Sequence, residues 1–346
     1  MSSAADPQRT LMFVEAGEAS DVVRRQRARN AAVIAALGAR LRANKPRALV
    51  TLARGSSDHA ATYARYLIET RAGVLTSSVS PSVSSIYDAM PDLGGTVVLG
   101  ISQSGRSPDL LNAATQATAS GALLVAMVND EASPLAEQAD MVIPLCAGPE
   151  RSIAASKSFI AALAATLDLV AAWTGSAAIE SALSQLPDQL KQAWELDWSA
   201  ALPILTRTNA MYVVGRGHGL GIAQEAALKL KETCGIHAEA FSAAEVRHGP
   251  MAIVGEGFPV LLFGQADESL ESVATLAAEF AARGAQVISA GVPNAPGIVL
   301  PVVEADPLTA PILEIESFYR LANSLALARG RDPDRPPHLT KVTETL

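Results

Sequence analysis

Short runs rich in Val, Leu and Ile alternate along the chain with longer stretches of helical periodicity. An apolar run without polar alternation is typical of a parallel strand buried on both faces. Such runs are 47–53, 96–101, 121–129 and 141–145 in the first half, and 210–214, 258–263, 286–290 and 298–303 in the second. Helices are expected at 11–44, 56–69, 156–173, 174–199, 225–232 and 311–329. Two more are expected, one that begins at residue 108 and one that ends at residue 283. This alternation predicts an α/β fold whose parallel sheets are covered by helices.

The two halves repeat the same order of elements. Arg54-Gly55 follows the first strand of one half and Arg216-Gly217 follows the first strand of the other, 216 − 54 = 162 residues later. An internal duplication of one α/β unit is therefore predicted. The expected division is a tail with helices at 1–36, a first domain at 37–175, a second at 199–336 and a C-terminal tail at 337–346.

Small polar residues follow two strands of the first half. Because the carboxyl ends of neighbouring parallel strands form the ligand crevice of open α/β sheets, these loops are expected to meet there. Hydroxyls, an amide and helix N-terminal N–H groups suit a phosphate monoester, although turn chemistry alone also produces Ser/Gly-rich loops. The candidate phosphate-binding residues are Gly55, Ser56, Ser57, Ser102, Gln103, Ser104 and Ser107.

The stretch 224–250 is dense in side chains that move protons. On a helical wheel Glu225, Lys229 and Glu232 fall within roughly 60° of one another, which places an ammonium between two carboxylates. The ordinary alternative is a solvated helix face with an i, i+4 ion pair. Beyond the helix lie His237, Glu239, Glu245 and His248. A metal site at His237, Glu239 and His248 is disfavoured because neither an H-E-x-x-H spacing nor a Cys set is present.

Composition excludes several functional classes. A length of 346 residues with 49% hydrophobic residues allows two domains with large cores. The net charge of −8 without a basic run argues against nucleic acid. Two cysteines are too few for a disulfide framework, and the N-terminus lacks the features of a signal peptide. The apolar run 160–173 is too short to cross a membrane and contains Asp168, so a soluble cytoplasmic protein is expected.

Three segments resemble the sugar isomerase (SIS) family, in particular the isomerase half of glutamine–fructose-6-phosphate aminotransferase and the SIS-type glucosamine-6-phosphate deaminases. They are the loop ISQSGRSPD, the segment ERSIAASKSF and the helix with the residues that follow it, EAALKLKETCGIHAEAFSAAEVRHGP. The segments MFVEAGEASDVVRRQ and DPDRPPHLTKVTETL are also similar to that family, so the resemblance covers nearly the whole chain. It implies two tandem flavodoxin-like α/β/α domains in a homodimer with a shared active site.

The resemblance also assigns roles to residues. The serine loops match the family's phosphate site, and Glu232 matches the base that moves a proton between C1 and C2 of the sugar. Lys229 and Glu225 match the helix's other charged residues. His248 matches the ring-opening histidine that the neighbouring subunit donates, and Lys341 matches the lysine of the tail that closes over the sugar. No metal and no redox cofactor are implied.

Two departures bear on the expected reaction. Ala155 precedes Ser156-Lys157 where the synthases usually carry Ser, which leaves the choice of sugar open. The synthases begin with a glutaminase domain with an N-terminal cysteine, whereas this chain begins Met1-Ser2-Ser3, so glutamine is not expected to be its nitrogen source. The expected activity is conversion of glucosamine 6-phosphate to fructose 6-phosphate and ammonia. The alternatives are galactosamine 6-phosphate or fructosamine 6-phosphate as substrate, or a non-catalytic sugar-phosphate sensor.

Overall fold

The structure is a computed structural model that describes residues 6–89 and 91–341. The chain divides into two compact units, one with the five strands that lie between residues 49 and 144 (β1–β5) and one with the five that lie between 210 and 300 (β6–β10). The β1–β5 unit comprises Asp21–Glu150, Lys157–Ser184 and the described tail from Thr340. The β6–β10 unit comprises the described part of Met1–Ser20, Arg151–Ser156 and Gln185–Leu339. Both units thus combine segments from distant parts of the chain, and the division in chain order expected from the sequence stays a prediction.

Twelve α-helices lie in the described residues. They are α1 (Leu11–Gly17), α2 (Ala19–Ala43), α3 (Ser56–Arg71), α4 (Pro81–Ser85), α5 (Pro108–Ala119), α6 (Pro134–Gln138), α7 (Lys157–Thr174), α8 (Ala177–Glu195), α9 (Leu202–Leu205), α10 (Leu220–Glu232), α11 (Leu270–Ala282) and α12 (Ala310–Ala328).

The first sheet is parallel and has the strand order β2-β1-β3-β4-β5. Its strands are β1 (Leu49–Leu52), β2 (Thr76–Ser78), β3 (Val97–Ser102), β4 (Leu123–Val128) and β5 (Met141–Pro144). Alternate side chains of β4 face opposite sides, as a strand requires. Leu124 and Ala126 pack in a cluster with Leu110 of α5, whereas Met127 contacts the Thr166 hydroxyl of α7 through its sulfur at 3.8 Å. Helices therefore cover both faces of this sheet.

The second sheet has the same topology. Its strand order is β10-β9-β8-β6-β7. When this order is read from β7, it corresponds strand by strand to the order of the first sheet. Its strands are β6 (Ala210–Gly215), β7 (His237–Ser242), β8 (Pro259–Phe263), β9 (Gln286–Ala290) and β10 (Ile298–Leu300). Gly55 and Gly217 follow the first strand of each sheet with nearly identical φ angles of 57° and 58°. These matches confirm the predicted duplication and the flavodoxin-like α/β fold.

Helices also cover both faces of the second sheet. Val260 and Leu262 of β8 pack in a cluster with Phe280 of α11. On the opposite face, the ring of Phe263 lies 6.2 Å from that of Phe318 in α12. Helix α10 packs against β6, β7 and α12, so it lies between the sheet and the last helix. This placement buries α10 more deeply than its charged sequence suggests.

The structure differs from the sequence prediction mainly at sheet edges. Strands β2 and β7 were not predicted, because they contain polar residues and are not continuous apolar runs. Both are edge strands that pair on one side, a position that tolerates polar residues. Strand β10 ends at Leu300 rather than near 303. The helix expected from residue 11 onwards is broken after Gly17, where a Cβ would lie 3.0 Å from the Trp194 ring. The predicted elements are otherwise present, with ends shifted by a few residues.

Among the described residues, α7 is the one helix with the length and apolar composition that a membrane crossing would need. In the structure 83% of this segment is buried, and α7 packs against α3 within the β1–β5 unit. It is therefore a core helix of that unit.

Candidate active site

The first candidate site lies at the carboxyl ends of β1 and β3. These strands are neighbours, while β2 and β4 lie on their outer sides, so the chain leaves β1 and β3 in opposite directions. This reversal creates the crevice in which doubly wound sheets bind ligands. Gly55 adopts a φ of 57°, and α3 begins at the next residue, Ser56. The first-turn N–H groups of α3 therefore start at the crevice, where a helix N-terminus favours an anion.

The loop after β3 is shaped around its serines. The Ser102 hydroxyl is nearly buried and accepts a hydrogen bond from Gly105 N–H at 3.0 Å, which closes the turn. Gly105 has a φ of 63°, and a Cβ there would lie 2.3 Å from the Ser133 hydroxyl, so only glycine fits. Ser107 is the N-cap of α5, yet its side chain makes no capping hydrogen bond. Gln103 and Ser104 are half-buried on the same turn. This geometry suits hydroxyl donation to a ligand, and the phosphate assignment itself stays a prediction.

An ion pair missed by the sequence analysis joins the two loops. Arg54 donates from Nε and an Nη atom to one carboxylate oxygen of Asp109, at 2.9 and 2.7 Å. Asp109 is buried in the first turn of α5, whereas Arg54 is half exposed. The pair thus fixes the loop after β1 to the helix after β3 and leaves a cation at the crevice. Arg54 was visible in the sequence, but its partner lies 55 residues away.

The second candidate site is the charged edge of α10. The Lys229 ammonium lies 2.5 Å from a Glu232 oxygen and 3.4 Å from a Glu225 oxygen. Tyr319 of α12 donates its hydroxyl to the same Glu225 oxygen at 3.1 Å. Glu225 and Lys229 are fully buried, whereas the Glu232 side chain is 21% exposed. One carboxylate of the three charged groups can therefore reach a ligand while the other two hold it in place.

Burial by itself would lower the pKa of Lys229. The carboxylates of Glu225 and Glu232 outweigh that effect, and the pKa of the ammonium is raised above its ordinary value. Lys229 is therefore a fixed cation at neutral pH. The predicted arrangement of one ammonium between two carboxylates is present. The alternative of a solvated helix face is wrong, because α12 and the sheet cover the residues that form it.

The lysine of the C-terminal tail is held by a buried acid. Glu150 accepts hydrogen bonds from Ser158 N–H at 3.2 Å and the Ser158 hydroxyl at 2.7 Å, within the first turn of α7. Its second oxygen also accepts from Lys341 Nζ at 3.2 Å. The Glu150 side chain is fully buried and Lys341 is half-buried. Glu150 is a residue to which sequence reasoning gave no role, since 191 residues separate it from Lys341.

His248 differs from the buried residues of the charged edge in its exposure to solvent. It ends the 3₁₀ helix Glu245–His248 and is exposed, as is Glu245. His237 and Glu239 lie on the edge strand β7 and are exposed as well. Within residues 6–89 and 91–341, no group of three or more His, Cys, Asp or Glu side chains is arranged as a metal site. An exposed His248 is the arrangement expected of a residue that serves a second subunit, a role that stays a prediction.

Comparison with known proteins identifies the family. The SIS domain model matches residues 43–172 and 204–290, one match in each sheet. The chain is 35% identical to glutamine–fructose-6-phosphate aminotransferase [isomerizing] of Aeropyrum pernix over 314 residues, which is 85% of this chain and 50% of that protein. The chain thus spans about half the length of the curated relatives it matches.

Two solved structures have the same fold over nearly the whole chain. A Silicibacter pomeroyi DSS-3 protein assigned to the phosphosugar isomerases superimposes with a TM-score of 0.90 at 41% identity, covering 94% of this chain and all of that one. The C-terminal domain of glucosamine-fructose-6-phosphate aminotransferase from Francisella tularensis gives 0.85 at 26% identity, covering 95% and 98%. The chain therefore belongs to the SIS domain family, in the group related to the isomerase half of glutamine–fructose-6-phosphate aminotransferase.

Proposed function

We propose that this protein is a phosphosugar isomerase of the SIS type that acts as a deaminase, converting glucosamine 6-phosphate and water to fructose 6-phosphate and ammonia. The observation that carries the proposal is the charged edge of α10. Glu232 presents a partly exposed carboxylate that a buried ammonium holds at 2.5 Å. Proton transfer between adjacent carbons of an aldose requires a base held close to both carbons, and the ammonium holds this one in place.

The proton transfer from C2 to C1 is assigned to Glu232. In the open-chain sugar Glu232 removes the proton from C2, and the aldehyde oxygen takes up a proton to give an enolamine. The buried Lys229 ammonium holds Glu232 in position for this step and does not itself reach the oxygen. Glu232 then delivers its proton to C1, which gives an iminium at C2, and loss of a proton from its nitrogen leaves the imine and balances the proton taken up by the oxygen. Water adds to the imine carbon, and the C2–N bond breaks to give the ketone and ammonia.

Further residues bind the substrate and prepare it. The serine loops after β1 and β3 would hold the phosphate with neutral donors, and Arg54 would add a positive charge. His248, supplied by the neighbouring subunit of a homodimer, would open the pyranose ring by proton transfer. Lys341 would order the tail over the sugar and exclude water, with Glu150 setting its position. Lys341 is also able to form a Schiff base with an open-chain sugar.

One assay tests the proposal. Purified protein is incubated with glucosamine 6-phosphate, and ammonia and fructose 6-phosphate are measured in parallel coupled reactions. Equal amounts of both products support the deaminase. Deuterium exchange at C2 without release of ammonia supports an isomerase that does not deaminate the sugar. Galactosamine 6-phosphate and fructosamine 6-phosphate are assayed in parallel, and the comparison identifies which sugar phosphate is the substrate. If no sugar phosphate is turned over although one binds, the sensor is the better interpretation.

The phosphate assignment predicts a KM effect. Replacing Ser102 and Ser104 together by Ala should raise the KM for a phosphorylated sugar about tenfold or more, because two donors to the phosphate are lost. The kcat should change less, since these hydroxyls do not touch the reacting carbons. Ser120→Ala at the opposite end of α5 is the matched control and should leave both constants unchanged. An unaltered KM in the double variant would place the phosphate elsewhere.

The shared site predicts complementation between inactive variants. Glu232→Gln and His248→Ala should each be nearly inactive as homodimers. If the histidine comes from the partner, a hybrid has one site with both native residues, so mixing the variants should restore up to about a quarter of wild-type activity. Subunit exchange is followed by native mass spectrometry of differently tagged chains. Proven exchange without recovered activity would mean that each site is built within one chain.

A further inference from the structure

A cavity in the β6–β10 unit takes no part in the chemistry above. Its volume is about 280 Å³. The loops after β8 and β9 form one wall, at Gly264–Ala266 and Gly291–Pro293, and side chains between 299 and 305 form another. Carboxyl ends of strands are the usual ligand-binding edge of such sheets. None of the three charged residues of α10 lines this cavity.

An unusual carboxylate belongs to the wall of this cavity. Glu314 of α12 is only 3% exposed, and its Oε2 atom has no hydrogen-bond partner among the described residues. Its other oxygen packs so closely on Gly291 that a Cβ there would lie 2.3 Å away. Burial raises the pKa of Glu314 well above its ordinary value. A buried acid without a donor destabilises a fold, so its presence beside a cavity points to a ligand that donates to it.

The remaining lining defines the charge and shape of that ligand. Apolar side chains predominate, among them Val292, Val299 and Val302. The one other titratable residue of the described lining is Glu304, which is exposed at the rim. Two acids without a lining Lys, Arg or His favour a cation over an anion. At about 30 Å³ per water-sized group, the volume holds roughly nine or ten such groups.

We propose that this cavity binds a small ligand with a primary ammonium on a short apolar body, with the ammonium on Glu314 and the apolar part against the valines. An ammonium carries three donors and a full charge, so it satisfies the unpartnered oxygen and compensates the buried Glu314 carboxylate. A neutral alcohol supplies one donor and no charge, and a carboxylic acid anion is repelled. The proposal is independent of the sugar-phosphate chemistry.

Three probes that share a 3-methylbutyl chain and differ in the polar end test the charge preference. They are 3-methylbutylamine, 3-methylbutan-1-ol and 4-methylpentanoate, titrated into the full-length protein while the methyl signals of Val292, Val299 and Val302 are followed by NMR. The amine should shift these signals and bind about tenfold or more tighter than the alcohol, and the anion should not bind. Absence of shifts with every probe, or equal binding of amine and alcohol, overturns the proposal.

The chain supplies a matched control for the key residue. Glu316 lies on the same helix, is 1% exposed and also has an unpartnered Oε2, but it does not line the cavity. Glu314→Gln should lower amine affinity at least about tenfold and bring it close to that of the alcohol. Glu316→Gln should leave it unchanged. Equal losses in the two variants, or no loss in Glu314→Gln, contradict the assigned contact.

A second variant keeps the test decisive if Glu314→Gln fails to fold. Ala305→Phe leaves the carboxylate in place and puts a ring at the half-exposed wall of the cavity. It should fold with a Tm close to that of the wild type and lose amine binding. Persistent binding with unchanged valine shifts would show that the amine does not enter the cavity.

Discussion

Glu232→Gln is expected to bind sugar phosphate almost normally and to lose a factor of about 10² to 10⁴ in kcat. Glutamine keeps the size of the side chain and its contact with the Lys229 ammonium, but it cannot accept a proton from carbon. Because the carboxylate acts only on the reacting carbons, KM should change little. Steady-state kinetics with glucosamine 6-phosphate measures both constants.

Isotope exchange separates loss of the base from other causes. In heavy water the variant should exchange the C2 hydrogen of the sugar more slowly by the same factor as kcat, since exchange reports the same proton abstraction. Glu239→Gln is the control, because Glu239 lies exposed on the edge strand β7 of the same unit. Wild-type exchange in Glu232→Gln would assign the base to a residue outside the charged edge of α10.

The sheet interiors could be predicted from the sequence because their strands are continuous apolar runs. The β4 segment LLVAMV is such a run, and its residues from Leu124 on are buried on both faces of the sheet. Strand β7 could not be predicted, since His237 and Glu239 alternate with small residues on an edge that pairs on one side. Local sequence therefore located the core strands and the apolar edge strands β5 and β10, whereas the polar edge strands β2 and β7 depended on pairing partners distant in sequence.

The same distinction holds within the candidate sites. Helix geometry alone placed Glu225, Lys229 and Glu232 on one edge, because i, i+3 and i, i+4 neighbours share a face. Their burial was not predictable, because it depends on α12, whose Tyr319 lies 94 residues beyond Glu225. The pairs Arg54–Asp109 and Glu150–Lys341 were hidden for the same reason, at separations of 55 and 191 residues. Spacing reveals contacts within one element, and contacts between distant elements require the fold.

Burial makes Lys229 a determinant of stability as well as of chemistry. Lys229→Met removes the cation that compensates the fully buried Glu225 carboxylate, which also accepts a hydrogen bond from the Tyr319 hydroxyl. Removing one partner of a buried ion pair costs about 3–5 kcal/mol of the free energy of unfolding. Urea unfolding at neutral pH measures the loss. Lys231→Met, on the exposed side of the same helix, is the control and should cost below about 1 kcal/mol.

The pH dependence of stability has a defined sign. Because the folded state raises the pKa of Lys229 above its ordinary value of 10.5, its stabilising effect is complete below that value and is lost as pH rises through the higher folded pKa. The difference in unfolding free energy between the wild type and Lys229→Met should therefore be constant near neutral pH and shrink above about pH 10.5. Unfolding curves at several alkaline pH values follow that difference.

A double variant decides whether the uncompensated carboxylate causes the loss. Glu225→Gln added to Lys229→Met replaces the buried charge by a neutral amide, so part of the lost stability should return, with a coupling energy of about 0.5–3 kcal/mol. Recovery in the double variant would show that Glu225 and Lys229 stabilise the fold as a pair. If Lys229→Met is no less stable than Lys231→Met, or if the second substitution destabilises further, the pair does not act as the structure implies. Glu232 would then be held by other contacts of α10, and the proposed role of Lys229 in positioning the base would fail with it.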